Sequence, residues 1–307
     1  MLLGAVALAP LALDGEHIEL DDAMRDELTQ DGHRFAKAGA GSIHYELAGP
    51  ADGELVVLVH GVSGPLEVFD AIVEPLHRAG FRTLRYDHYG RGWSDRVEAD
   101  YDLDLFVGGL EDLLAAIEHD GSVRLVGSSM GAIVSSEFAL RHGERVAALA
   151  LLGPAGFPIE ATFLARFIRV PLVGDYLMKT FGDRSLAAHN RKYFVDPDPF
   201  DALQARFEEQ LEVVGTKAAV LSTMRHTPVQ SYVDGYARLG ETDTPVLIAW
   251  GDGDTVFPVS YADQARDALP EAELFVVEDA GHLPMLEQPA AVLERLLPFL
   301  AAPQAPP

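Results

Sequence analysis

The chain has 307 residues, 23 of them Lys or Arg against 48 Asp or Glu, for a formal charge of −25 with histidine neutral. So acidic a surface repels phosphate backbones and anionic lipid, which argues against nucleic acid as a partner. Cysteine is absent, which excludes disulfides, thiolate catalysis and Cys-ligated zinc; the 11 histidines show no H-E-x-x-H or H-x-H spacing, so a metal site has no support in the sequence.

In chain order, residues 1–13 are apolar. They are too few to span a bilayer, which takes about 20, and they lack the positive start of a signal peptide. Two readings stay open: a helix packed on a cytoplasmic protein, or the remnant of an export signal or membrane anchor. From His33 the pattern alternates, with Arg34–Lys37 and Ser42–Leu47 flanking a Gly-rich turn as a hairpin. Leu55–His60 is a continuous apolar run, the mark of a strand buried on both faces. Leu66–Ala79 reads as helix, with a kink or a new turn expected at Pro75. Phe81–Asp87 is a strand. Tyr101–His119 has the one-sided apolar spacing of an amphipathic helix. Val123–Gly127 and Val146–Gly153 are strands on either side of a helix from Ala132 to about Arg141. This β-α alternation predicts an α/β fold, a parallel sheet wound with helices on both faces.

The rhythm stops over 155–240, which holds helix-like pieces and no convincing strand. The first piece, Ile159–Phe181, is rich in large apolar side chains and broken at Pro171 and Gly174. Strand character resumes at Thr244–Gly251. A helix follows from about Ser260, a strand at Ala272–Glu278 and a last helix from Pro289 to Leu300. The expected organisation is an apolar and acidic segment at 1–32, a core domain in two parts at 33–154 and 241–307, and a helical cap or lid at 155–240.

The chemistry centres on Gly127-Ser128-Ser129-Met130-Gly131. This G-x-S-x-G pattern stands between a strand and a helix, where a serine is held in a strained turn with its hydroxyl pushed outward. Gly127 and Gly131 are needed because strand and helix cross too closely for a Cβ. A serine hydroxyl is a poor nucleophile near neutral pH and needs a base, itself oriented by an acid. Asp252 and Asp254 end one later strand and His282 ends the next, in the order Ser, Asp, His expected for such an elbow. In open parallel sheets functional groups gather at those carboxyl ends. Taken singly, each of these residues also reads as an ordinary turn or cap; taken together in order, they read as a triad. His60-Gly61-Val62-Ser63-Gly64 follows a buried strand and resembles the loop that lends a backbone N–H to an oxyanion hole. Val62 and Met130 are then the two donors, and losing one such donor typically costs about 10²–10³ in rate. His60 is read as a support for that loop.

With those motifs and Asp87-His88-Tyr89-Gly90-Arg91-Gly92-Trp93-Ser94, the chain from about residue 33 to 302 resembles the α/β-hydrolase superfamily of serine hydrolases. The resemblance implies that fold with a helical cap, no cofactor, and Asp254 as the acid, from its G-x-x-D setting with Pro258 beyond; Asp252 is the runner-up. It gives the Asp87–Ser94 loop a structural role, with Arg91 or Asp95 pairing locally. Serine as nucleophile argues against the Asp-dependent dehalogenases and epoxide hydrolases of this fold. It leaves ester, thioester, amide or carbon–carbon cleavage, or perhydrolysis. The expected function is hydrolysis of small-molecule carboxylic esters with largely apolar acyl groups, with Phe157 and Phe257 as pocket walls. The alternatives are a meta-cleavage carbon–carbon hydrolase and a non-catalytic ligand binder on the same fold. Membrane contact through the N-terminal segment or the cap is a further expectation.

Overall fold

The computed structural model describes residues 13–159 and 167–303. At its centre is an eight-stranded sheet in the order β1-β2-β4-β3-β5-β6-β7-β8. The strands are β1 Arg34–Ala38, β2 Gly41–Ala48, β3 Leu55–Val59, β4 Arg82–Tyr86, β5 Val123–Ser128, β6 Val146–Leu152, β7 Val246–Gly251 and β8 Glu273–Val277. β2 pairs antiparallel with β1 and β4, and every other pairing is parallel. The central strands β3, β5, β6 and β7 are buried along their whole length. Their runs of branched apolar side chains present two hydrophobic faces, and such strands are stable only where helices cover both.

The helices supply that cover. They are α1 Asp22–Gln30, α2 Asp70–Arg78, α3 Leu103–Ala116, α4 Met130–Arg141, α5 Val173–Asn190, α6 Asp201–Leu211, α7 Thr216–His226, α8 Val233–Gly240, α9 Ala262–Ala268, α10 Pro284–Glu287 and α11 Pro289–Ala301. One face of the sheet takes α3, α4, α8 and α9 through Phe106, Leu110, Ile133, Phe138, Tyr236, Leu239 and Ala265. The other takes α2 and α11 through Ile72, Leu76, Val292, Leu296 and Leu300. Each buried Leu, Ile, Val or Phe among them contributes about 1.5–3 kcal/mol of transfer free energy, so these two layers dominate the stability.

Two details differ from the sequence reading. The expected helix over 66–79 is a 3₁₀ turn at Leu66–Phe69 followed by α2, and α2 runs on through Pro75. The break therefore falls at Asp70, ahead of the proline. Within 155–240, α8 buries Tyr236 and Leu239 in the body of the molecule, and the Tyr236 hydroxyl donates to the Ala155 carbonyl in the loop after β6. Residues 1–12, and 160–166 of the apolar stretch 159–181, lie outside the described residues. Among the described residues no helix is long and apolar enough to cross a membrane.

Candidate active site

Ser129 ends β5 and begins α4 with φ 55° and ψ −120°, a backbone conformation that L side chains rarely adopt. The neighbouring glycines make this turn possible. A Cβ on Gly131 would lie 1.9 Å from the Val59 carbonyl oxygen, and one on Gly127 would lie 2.4 Å from the Gly131 carbonyl oxygen. Ser129 N–H donates to the Leu152 carbonyl at 3.0 Å, which ties the elbow to the end of β6. The residue after Leu152, Gly153, has no room for a Cβ because the His282 carbonyl oxygen would lie 2.4 Å away and its Nδ1 3.4 Å away. Elbow and histidine loop therefore meet at the end of one strand.

His282 Nδ1 donates to Asp254 Oδ2 at 2.8 Å, and both side chains are buried. The other carboxylate oxygen, Oδ1, accepts from the N–H groups of Val256 at 2.8 Å and Phe257 at 2.9 Å. The carboxylate is thus fixed by its own loop before it orients the imidazole. Asp252 stands apart: it is exposed, and its Oδ1 takes the Ala280 N–H at 3.4 Å. The histidine's Nε2 is buried and has no hydrogen-bond partner among the described residues, so the Ser129 hydroxyl does not bond to it in this conformation.

Gly61 lies against Ser129. A Cβ there would be 2.9 Å from Ser129 Cβ and 3.3 Å from Oγ, so the loop after β3 borders the serine hydroxyl. Among the described residues, neither the Val62 nor the Met130 N–H is engaged in a hydrogen bond. The His60 ring is buried beside this loop. Its Nε2 accepts from the His88 N–H at 2.9 Å, Nδ1 donates to the Gly61 carbonyl at 2.8 Å, and His88 Nε2 donates to the His60 carbonyl at 3.1 Å. Burial pushes the His60 imidazole down to about 4 and holds His88 well below its ordinary value, so both rings are neutral braces.

In the Asp87–Ser94 loop, Asp87 accepts from Leu66 N–H at 2.9 Å, Trp93 N–H at 3.0 Å and His44 Nδ1 at 2.7 Å. Gly92 sits at φ 46°, where a Cβ would meet that carboxylate at 1.9 Å. Among the described residues Arg91 finds no carboxylate, so of Arg91 and Asp95, either of which is expected to pair locally, Arg91 does not. It is fully buried and donates to the Val62, Gly90 and Thr223 oxygens. Asp95 takes Arg25 at 2.5 Å and the Ser42 N–H at 2.8 Å. Phe257 packs its ring 5.8 Å from that of His282. Phe157 lies elsewhere. Its side chain is wholly inaccessible and packed among Tyr236, Trp250 and Tyr261, so it is core and not the surface of a pocket. Sequence reasoning missed Tyr193 and Gln210, which bond Ser63 in the loop beside the serine. Neither stands in a motif or on a periodic apolar face, and no local signal marks them.

The alpha/beta hydrolase fold family model matches residues 54–289, and the chain belongs to that family. It is 30% identical over 280 residues to a 2-hydroxy-6-oxononadienedioate/2-hydroxy-6-oxononatrienedioate hydrolase of Paraburkholderia xenovorans, covering 86% of this chain and 93% of that protein. A 2-hydroxy-6-oxo-6-(2'-aminophenyl)hexa-2,4-dienoic acid hydrolase of Metapseudomonas resinovorans is 26% identical over 273 residues, covering 87% of this chain and 90% of that protein. Among solved structures, an esterase from Exiguobacterium antarcticum superposes with a TM-score of 0.73 at 23% identity, over 87% of this chain and 99% of that one. At that identity the likeness speaks for the fold.

Proposed function

We propose that the protein hydrolyses carboxylic esters of largely apolar acyl groups through an acyl-enzyme on Ser129. The observation that carries this reading is the buried Asp254–His282 pair at 2.8 Å, set at the strand end that also holds the Ser129 elbow. Asp254 keeps the proton of His282 on Nδ1 and so leaves Nε2 free to act as a base. Nε2 takes the Ser129 proton as Oγ attacks the ester carbonyl, and the resulting oxyanion is received by the Val62 and Met130 N–H groups. The imidazolium then protonates the departing alcohol. Water, activated by the same Nε2, releases the acid and restores the serine. No cofactor enters these steps. The preference for apolar acyl groups rests on the aromatic rings of Phe257 and Tyr193 beside His282 and on the neutral state of His60 and His88.

A second reading, carbon–carbon bond hydrolysis of a dienoic ketoacid, is favoured by the names of the two hydrolases above. The same serine, histidine and aspartate would serve it. Against it, Arg91, the buried cation next to the Val62 loop, already spends donors on three protein oxygens, so it is not presented to a substrate carboxylate.

The test is a panel of p-nitrophenyl esters of graded acyl length run beside a dienoic ketoacid, with wild type and Ser129→Ala. The expected outcome is ester turnover, fluorophosphonate labelling of Ser129 and a loss of at least about 10³-fold in kcat for the variant. Turnover surviving in Ser129→Ala without labelling of the wild type would overturn the proposal, and ketoacid cleavage without ester turnover would select the second reading.

A further inference from the structure

One short stretch joins loops that the sequence keeps far apart. Between α5 and α6, the Lys192 carbonyl accepts from Thr255 Oγ1 at 3.1 Å, on the loop of Asp254. The Tyr193 carbonyl accepts from His282 N–H at 2.7 Å, and the Tyr193 ring lies 5.2 Å from the imidazole. The Tyr193 hydroxyl is 2.7 Å from Ser63 Oγ, in the loop that carries Val62. Val195 N–H donates to Glu287 Oε1 at 2.7 Å, and Glu287 Oε2 accepts from Gly281 N–H at 2.6 Å, beside the histidine. Acid loop, histidine loop and oxyanion loop are thus all held by one segment from the helices above the sheet.

Of these contacts, those of Tyr193 are the ones that bind two loops through a single residue. Its main chain holds His282 and its side chain holds Ser63. The histidine loop is shaped to receive it: a Cβ on Gly281 would lie 2.4 Å from the Tyr193 carbonyl oxygen. The loop at Val62 and Ser63 has no regular secondary structure of its own. Its carbonyls are fixed by Arg91 at Val62 and Gln210 at Ser63, and its side chain is fixed by Tyr193. Tyr193 is buried, and burial raises its phenol above the usual value, so the hydroxyl stays protonated as a hydrogen-bonding group.

We infer that Tyr193 is a positioning residue, one that sets the Val62 N–H and the His282 imidazole at the right separation about a common acyl carbon. The inference rests on the acyl-transfer reading above. An oxyanion donor is effective only within a few tenths of an ångström of the place where charge develops, and a misplacement of about 1 Å can cost about 10²-fold. The Tyr193 phenol supplies that tolerance to a loop with no ladder of its own.

The experiment compares full-length wild type, Tyr193→Phe, Ser63→Ala and the double variant. Tyr193→Phe keeps the ring and the carbonyl to His282 and deletes the bond to Ser63; Ser63→Ala deletes the same bond from the other end and remains informative if the first variant folds poorly. The readouts are kcat and KM on a p-nitrophenyl ester, and the affinity of a trifluoromethyl ketone, which forms an oxyanion on Ser129, beside that of the matching methyl ketone. Each single variant is expected to lower kcat about 10-fold with KM within about twofold, to weaken the trifluoromethyl ketone by the same factor and to leave the methyl ketone unchanged. The double variant should be no worse than either single one. Unchanged kcat in both single variants, a loss borne by KM and by both ketones alike, or additive losses would each overturn the inference while leaving the ester reading intact. A wild type that neither labels with fluorophosphonate nor turns over ester would overturn both.

Discussion

At the scale of single residues, backbone strain is held at Ser129, a buried residue at the turn between β5 and α4. A non-glycine residue at φ 55° costs of order 1–3 kcal/mol, and the surroundings must hold it there. The Ser129 turn survives because Gly127 and Gly131 let β5 and α4 cross where side chains would collide with backbone. Gly61 tests the other side of the Ser129 hydroxyl. Its missing Cβ would press on the Ser129 side chain and rest in ordinary contact with the Ser128 carbonyl, so Gly61→Ala is expected to fold, with Tm lowered by a few degrees, and to lose at least about 10-fold in ester turnover. The two aspartates after β7 make a sharper comparison. Asp254 orients the buried imidazole while Asp252 braces a loop from an exposed position. Asp254→Asn offers the histidine an amide in place of an anion and should lower kcat by about 10⁴. Asp252→Asn should leave kcat within a few-fold. Equal effects of the two substitutions would mean that the proton relay runs through a different acid.

At the scale of elements, what the sequence disclosed followed from where the signals are local. Leu55–Val59, Val146–Leu152 and Val246–Gly251 are continuous apolar runs, and Val123–Ser128 is one but for Arg124, each ending at or near glycine or a polar residue, so strands and their chemical ends could be read together. Ser129 follows β5 and Asp254 stands three residues past β7, while His282 stands five past β8, and the pairing of Asp254 with His282 joins the last two of these ends. The links between α5–α7 and the body were not, because each joins residues far apart in sequence and leaves no periodicity. The segment before α1 is the clearest case: nothing in its acidic composition marks a partner, yet its residues 14–18 strap these helices. Asp14 and Asp183 hold Lys217 at 2.5 and 2.7 Å, and the Lys217 side chain is only 1% exposed. Glu16 accepts the N–H groups of Gly215 and Lys217 at the start of α7, and Ile18 bridges Val213. Removing a buried cation leaves two carboxylates facing each other, a loss that runs to about 3–5 kcal/mol for fully buried pairs. Here both carboxylates are partly open to water, so Lys217→Met should lower stability by about 1–3 kcal/mol. Urea unfolding checks it: the midpoint should fall with an unchanged slope, and the bond after a residue near Asp14 should become the first site of limited proteolysis. A midpoint equal to wild type would show that the strap contributes nothing.

At the scale of the whole molecule, two electrostatic effects act on stability and can be separated. The formal charge of −25 makes the folded chain repel itself, and added salt screens this over a Debye length of about 10 Å at 0.1 M. The buried histidines act through protons instead. His60 has its imidazole lowered from 6.5 to about 4 in the fold, so between those values the unfolded chain binds a proton that the folded chain refuses. The stability contributed by the neutral ring is complete above about pH 6.5 and is lost as the pH falls toward 4, at about 1.4 kcal/mol per pH unit. His88, shifted the same way, steepens the fall. Most carboxylates stay ionised above pH 5, so the window from about 5 to 6.5 reports the histidines. His60→Gln keeps an acceptor for the His88 N–H and cannot titrate. It should be less stable than wild type at pH 8, by about 1–3 kcal/mol for the lost packing and the orphaned Gly61 carbonyl. Its decline through the window should be shallower by about one proton's worth, so the two curves converge as the solution becomes acidic. Raising the salt should lift both curves and leave their difference in slope in place. Parallel curves for wild type and His60→Gln would mean that His60 takes up its proton without disturbing the fold, and the loop beside Ser129 would then need another brace.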